Sequence, residues 1–265
     1  MLRYAGINLK NSIKSRYFLY GILIIVGIFF FSKGRGELMV QVQQRPLIIQ
    51  EIFRYPREKF MKNIDSYSSE AMFSFGLRQF MYLAMPLSGI GFLLRFCDER
   101  YGGYDRMMFG RIGRRQYLLG TLMTSALLSI LTIVVSFVLI LIVLYAKLPS
   151  AIGIVEGVGI GTCLRQVFFA CILSIIGGWM GFFTAVVTES RFLSLVFPVL
   201  FFELWTEMCT AAASFFWFSY SMKNLFDPVA AGMPVRWYIL FVFFFLILTG
   251  GGFYLTAQKK FEKGR

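Results

Sequence analysis

The chain has 265 residues, of which 57% are hydrophobic and only 15% are charged, and its formal net charge is +13. Soluble globular domains hold about 45–50% apolar and about 25% charged residues, so this composition excludes an ordinary soluble domain. The absence of histidine and of a GxxxxGK[ST] loop excludes His-based catalysis, His-ligated metal sites and the usual nucleotide-phosphate loop.

The apolar residues are concentrated in runs, and the basic residues lie between those runs. Runs of about eighteen or more apolar residues indicate membrane-spanning helices. Lys and Arg collect on the cytoplasmic loops of such proteins, so the net charge indicates membrane orientation rather than a nucleic-acid partner. The four cysteines show no paired spacing, and no metal or cofactor site is expected in this chain. We therefore predict an all-α, polytopic membrane protein with one transmembrane domain over residues 1–265.

The N-terminus is predicted to form an amphipathic helix on the membrane surface. Its first sixteen residues include four basic residues and no acid. Leu2, Ile7 and Ile13 are spaced loosely enough to form its apolar face. No small-x-small cleavage site follows the apolar run that comes next, so that run is expected to be retained as the first span.

Six spans are predicted in all, and both termini are predicted to be cytoplasmic. The spans cover approximately residues 17–31, 73–96, 117–145, 167–188, 192–209 and 237–257. Six crossings place both termini on one side of the membrane. Leaving aside the long segment 32–72, that side holds fifteen basic residues and the other side holds four, and basic residues favour the cytoplasmic side.

Between the second and third spans lies a charged stretch, DERYGGYDRMMFGRIGRRQYLLG, over residues 98–120. Apolar residues recur in it at steps of three and four, which predicts a short amphipathic helix over about 100–112 that lies against the membrane. Glycines at both ends permit sharp turns. One face would hold Tyr101, Tyr104, Met108 and Ile112, and the other would hold Asp105, Arg106 and Arg111. From these residues alone, a docking element for a soluble partner and a basic loop held by lipid head groups are both open.

The charged stretch resembles the cytoplasmic loop of type-2 ABC export permeases. The shared pattern is an acidic residue, a glycine a few positions later, and RIGRRQYLLG at the start of a span. The matching positions are Glu99, Gly103, Arg114, Arg115, Tyr117 and Gly120. As a motif the resemblance covers about twenty-five residues. As architecture, with a surface helix, six spans and cytoplasmic termini, it extends over the whole chain.

The resemblance implies that the short helix is a coupling helix, which docks in a cleft of a separate ATP-binding subunit. ATP and Mg would be bound by that partner, and this chain would be a non-catalytic permease subunit in a bacterial plasma membrane. A second permease subunit, identical or related, would complete the translocation path for the cargo. The residues assigned to ATPase coupling are Glu99, Gly103, Tyr104, Arg106, Met108, Arg111, Arg114 and Arg115.

The fifth span carries two carboxylates at membrane depth. Glu203 and Glu207 are four residues apart, hence on one helix face, at about 17 and 23 Å from the start of the span. Such carboxylates are costly in lipid and usually face a polar cavity or a partner. They are candidates for a translocation path with Arg78. The alternative is a structural role near the outer interface, bonded to Trp205, Tyr220 or a neighbouring helix.

Three functions are consistent with the sequence. The favoured one is the membrane subunit of an ATP-driven exporter whose cargo is an antimicrobial peptide, a lipid or a drug. The second is an ion- or proton-coupled secondary transporter that uses Glu203 and Glu207, although no internal repeat is visible. The third is a non-transporting membrane scaffold or sensor partner.

Overall fold

The computed structural model describes residues 2–32, 47–54, 68–148, 159–211, 225, 228–229 and 231–263, which form helices and no β-strand. The all-α class is thereby confirmed for this part of the chain. In chain order the helices are α1 (Leu2–Ile13), α2 (Arg16–Phe31), α3 (Ile48–Arg54), α4 (Ser69–Leu87), α5 (Ile90–Tyr101), α6 (Tyr104–Ile112), α7 (Arg114–Lys147), α8 (Ile160–Thr188), α9 (Arg191–Ala211), α10 (Val235–Leu246) and α11 (Gly252–Lys263), and a π-helical turn, Ile247–Gly251, joins the last two.

Several of these helices have the length and apolarity of membrane spans. Four satisfy both criteria among the described residues: Arg114–Lys147, Ile160–Thr188, Arg191–Cys209 and Val235–Lys260. The N-terminal helices α1 and α2 form a fifth candidate, in which the two members are bent by 62° at a short break. The structure therefore indicates a helical membrane protein with four or five such elements, and the six-span count stays a prediction.

The second predicted span, residues 73–96, is divided between α4 and α5. The two helices are separated by Ser88 and Gly89, and Pro86 lies in the last turn of α4. The hydroxyl of Ser88 donates to the carbonyl of Met85 at 2.6 Å, which helps to end the helix because it occupies a carbonyl of the last turn. Neither α4 nor α5 is among the described helices that have the length and apolarity of a span.

Glycines of α8 let this helix pack closely on the end of α4 and on α7. A Cβ atom at Gly177 would lie 2.9 Å from the Cα of Pro86. At Gly178 it would lie 2.8 Å from the Oγ of Ser129 in α7. Small residues permit such close helix packing in membranes. A Cβ atom at Gly89, in the break itself, would lie 2.9 Å from the Cα of Gly178 and 3.8 Å from the Oγ of Ser129, so the break packs against both α8 and α7.

We call the end of the molecule at which α6 lies the α6 end. One apolar cluster packs the helices together at this end. Phe96 of α5, Phe182 of α8 and Phe253 of α11 form three ring pairs, with centroids 4.9, 6.0 and 5.7 Å apart. Aromatic pairs at such distances contribute about 0.5–1.5 kcal/mol beyond the area they bury. Met108 and Ile112 of α6 pack against the same cluster. The short helix is thus attached to three longer helices through their apolar side chains.

Candidate functional site

Two glycine turns separate the short helix α6 from its neighbours. Gly103 and Gly113 have φ of +70° and +78°, a region that residues with a Cβ rarely adopt. The helix begins at Tyr104, later than the predicted start near residue 100, because α5 continues to Tyr101 and the turn follows it. Tyr101 therefore belongs to α5 and not to the short helix.

The helix α6 has an anchored side and an exposed side. Met108 and Ile112 are half-buried against the apolar cluster. Tyr104 and Arg111 are exposed, and Met107 is 59% exposed. The side chain of Arg106, which was predicted to take part in coupling, lies outside the described part of the structure. An exposed apolar side chain between an aromatic ring and a guanidinium is a suitable surface for a protein partner.

Glu99 makes an ion pair within α5 that also reaches α1. Its Oε1 lies 2.7 Å from the Nε of Arg95, and the Nη1 of Arg95 donates to the Oγ of Ser12 at 3.0 Å. Burial raises the pKa of Glu99, and the Arg95 guanidinium opposes that rise. The predicted coupling residue therefore connects α5 to the N-terminal helix.

The turn between α8 and α9 is bonded to α5 and α11 through Glu189. Its carboxylate lies 2.8 Å from the Nζ of Lys260 and 3.3 Å from an Nη of Arg100. The hydroxyl of Tyr101 donates to the backbone carbonyl of Glu189. Glu189 itself has a left-handed backbone with φ of 55°. The bond from Lys260 lowers the pKa of Glu189, and the charge of Lys260 adds to the effect.

Asp98 makes a second connection between α5 and α9. Its two carboxylate oxygens accept from Arg191 at 2.9 Å and from the hydroxyl of Tyr17 in α2 at 2.9 Å. The Arg191 guanidinium also lies 4.9 Å from the ring centroid of Tyr101, within the range of a cation–π contact. We call Asp98, Arg100, Glu189, Arg191 and Lys260 the charged junction.

The charged junction was not predicted from the sequence. The signal in the chain is a pair of matching patterns, an acid followed two residues later by a base, at Asp98–Arg100 and again at Glu189–Arg191. Such patterns can form crossed ion pairs when two turns lie side by side. Only the fold shows that these two turns are neighbours, because they are about ninety residues apart.

Other positions of the charged stretch serve helix packing. Tyr117 is buried, and its ring centroid lies 5.7 Å from that of Tyr4 in α1. A Cβ atom at Gly120 would lie 2.5 Å from the Tyr4 ring. Arg114 is half-buried and Arg115 is exposed. Tyr117 and Gly120 therefore fix α1 on α7, and Arg115 is the arginine of this pair that is open to a partner.

The two carboxylates of the fifth predicted span lie on the exposed side of Arg191–Cys209. Glu203 and Glu207 are both exposed there, next to the exposed Leu204. Trp205 points toward the last span, where its ring packs 5.5 Å from that of Phe245. Two of the predicted partners, the side chain of Arg78 and residue Tyr220, lie outside the described part of the structure.

Among the described residues there is no group of three or more His, Cys, Asp or Glu side chains that could hold a metal ion. Comparison of the chain with protein-family models, curated proteins and solved structures found no match. The resemblance to type-2 ABC export permeases consequently rests on the charged stretch and on the arrangement of predicted helices.

Proposed function

We propose that the chain is the membrane subunit of an ATP-driven exporter and that a separate ATPase subunit docks on α6. The observation that carries the proposal is the isolation of this short helix. It is set apart by Gly103 and Gly113, both with positive φ. It is anchored on its inner side by Met108 and Ile112 and open on its outer side. A short helix between two turns suits a site that receives movement from another protein.

The contacts of α5 support a coupling role, because they connect α6 to elements beyond the two helices that flank it. Asp98 is bonded to α9 and α2, and Arg100 is bonded to the α8–α9 turn. Glu99 holds Arg95, which reaches α1. A displacement of α6 would therefore act on four other helices at their α6 ends as well as on α5 and α7.

The exposed carboxylates support a path at a subunit interface. A charged side chain facing lipid tails is unfavourable by several kcal/mol, so the exposed side of α9 with Glu203 and Glu207 is suited to face water or a second permease subunit. A path lined in part by carboxylates fits a cationic amphipathic cargo, such as a peptide or drug. In this proposal ATP and Mg bind to the partner ATPase, and this chain is a non-catalytic permease subunit.

The same carboxylates also support the second candidate, a proton-coupled secondary transporter. The two proposals differ in which substitution matters. In the exporter, Glu99→Gln weakens the coupling of ATP hydrolysis to transport, and Glu203→Gln leaves the proton dependence unchanged. In the secondary transporter, Glu203→Gln alters the proton dependence and Glu99→Gln does not alter transport. A scaffold would respond to neither substitution.

The proposal is tested by purifying the chain from its native membrane in mild detergent and identifying the copurifying proteins by mass spectrometry. We expect an ATP-binding subunit at about one copy per permease. The pair Tyr104→Ala and Met107→Ala should remove it, because both side chains are exposed on α6. The control Lys259→Ala, at an exposed position of α11, should retain it. Absence of any such subunit from the folded wild-type chain would contradict the proposal.

A further inference from the structure

The N-terminal helix α1 is held in a fixed orientation by its inner side. The hydroxyl of Thr124 in α7, which donates to the carbonyl of Gly120 at 2.8 Å, lies 3.4 Å from the carbonyl of Ala5. The Arg95 guanidinium donates to Ser12 at 3.0 Å. Ala5, Asn8 and Ser12 are all buried. This helix thus uses a small and polar side to pack on the protein, and its opposite side is free to meet something else.

The outer side of α1 combines an exposed apolar residue with basic residues. Ile7 is 56% exposed, and Lys10 is exposed at the following i+3 position. Residues with this spacing lie along one line of a helix surface. Lys14 lies in the turn just after α1, where its N–H bonds the carbonyl of Lys10 at 3.4 Å, and it is exposed as well. The helix contains no acidic residue. We call Ile7, Lys10 and Lys14 the basic stripe.

The position of the basic stripe next to an apolar helix indicates which partner it meets. After a break of two residues, α1 is followed by α2, Arg16–Phe31, which is almost entirely apolar. The stripe therefore lies near the level at which the chain enters the membrane. At that level an amphipathic helix places apolar side chains at the acyl boundary and lysines at the phosphates.

We propose that the basic stripe binds the head groups of anionic phospholipids in the surrounding membrane. Lys10 and Lys14 contact the phosphates, and Ile7 lies at the boundary between head groups and acyl chains. The inner contacts hold α1 in place, so the stripe needs no rearrangement to bind. This inference does not depend on the exporter function, because it concerns only α1 and the lipid around it.

The inference is tested by measuring the binding of fluorescent phosphatidylglycerol, and separately of fluorescent phosphatidylcholine. Each lipid is titrated into the purified full chain in detergent. Lys10→Gln and Lys14→Gln should each weaken phosphatidylglycerol binding by about five-fold, the effect of about 1 kcal/mol per basic residue at an anionic surface. Lys10→Arg and Lys14→Arg should retain it, because the charge is kept. Binding of phosphatidylcholine should not change with any of these variants.

Lys259→Gln is the matched control, since it removes the same charge from an exposed position of α11. It should leave phosphatidylglycerol binding unchanged. Two results overturn the inference: unchanged phosphatidylglycerol binding in the Lys10 and Lys14 variants, or an equal loss in Lys259→Gln. If one of the two single variants does not fold, the other decides by the same criterion.

Discussion

At the scale of single residues, Glu189 is stabilised by the charges around it. Its folded-state pKa lies below the ordinary value of 4.5, chiefly because Lys260 bonds to the carboxylate. A lowered carboxyl pKa contributes stability above the unfolded-state pKa, and this contribution is lost as the pH falls through the folded-state pKa. Glu189→Gln should therefore lower the free energy of unfolding at neutral pH, by about 1 kcal/mol or less because the ion pairs are exposed.

The measurement is thermal unfolding in detergent as a function of pH. The difference between wild type and Glu189→Gln should shrink as the pH falls below about 4.5. Lys260→Gln should give a similar loss, and the double variant should lose less than the sum of the two. A difference that grows on acidification would show that Lys260 does not stabilise the carboxylate.

Glu99 should show the opposite pH dependence. Burial raises its pKa above 4.5 in the folded state. Its stabilising contribution is therefore fully present below about pH 4.5 and is lost as the pH rises through the folded-state pKa. The unfolding midpoint of wild type should fall relative to Glu99→Gln as the pH rises from about 4 to 7. A constant difference over this range would mean that burial does not govern the Glu99 carboxyl.

At the scale of helices, the α4–α5 break depends on Gly177. Alanine at this position would bring a Cβ to 2.9 Å from the Cα of Pro86, a backbone atom that cannot turn aside. Gly178→Ala would meet only the Ser129 hydroxyl, which has no hydrogen bond among the described residues and can rotate. We expect Gly177→Ala to lose about 1–3 kcal/mol of stability, and Gly178→Ala to lose less.

Gly27→Ala is the control for this comparison, because a Cβ at Gly27 of α2 would meet nothing within 4 Å. It should be neutral or stabilising by up to about 1 kcal/mol, the usual helix preference of Ala over Gly. All three variants can be compared by their unfolding midpoints in detergent. Equal losses in Gly177→Ala and Gly178→Ala would contradict the packing of the break on the α8 backbone.

How far the sequence predicts these elements depends on the range of the forces that form them. The apolar runs near residues 117–145 and 167–188 predict α7 and α8, because the length of an apolar run can be read from the local sequence alone. The break at Ser88 and Gly89 was not predicted, since a proline in a membrane helix is equally consistent with a kink. The crossed pairs of Asp98 and Glu189 could not be predicted either, because they require two distant turns to meet.

In the candidate site, too, features that depend on the local sequence were predicted, and features that depend on contacts between distant helices were not. The short helix and its glycine turns follow from local sequence, although its start at Tyr104 depends on where α5 ends. The buried role of Tyr117, by contrast, depends on α1 lying against α7. A residue that matches a family pattern can thus serve packing rather than partner binding.

At the scale of the whole molecule, the α6 end combines features that suit a membrane subunit driven by a partner. The apolar cluster connects the short helix to α5, α8 and α11, and the charged junction connects α5 to α9, to the α8–α9 turn and to α11. The carboxylates of α9 lie on an exposed side of a long apolar helix. In the proposed exporter, the contacts at the α6 end receive the movement of the ATPase subunit. The exposed side of α9 forms part of the translocation path.

Contact between an ATPase subunit and α6 can be measured by photo-crosslinking in native membranes. A photoreactive benzoylphenylalanine would replace Met107, which is 59% exposed, with a control at Leu164, which is 61% exposed in the first turns of α8. We predict that position 107 crosslinks to an ATP-binding subunit and that position 164 does not. Crosslinking at neither position, or only to lipid at position 107, would contradict the account.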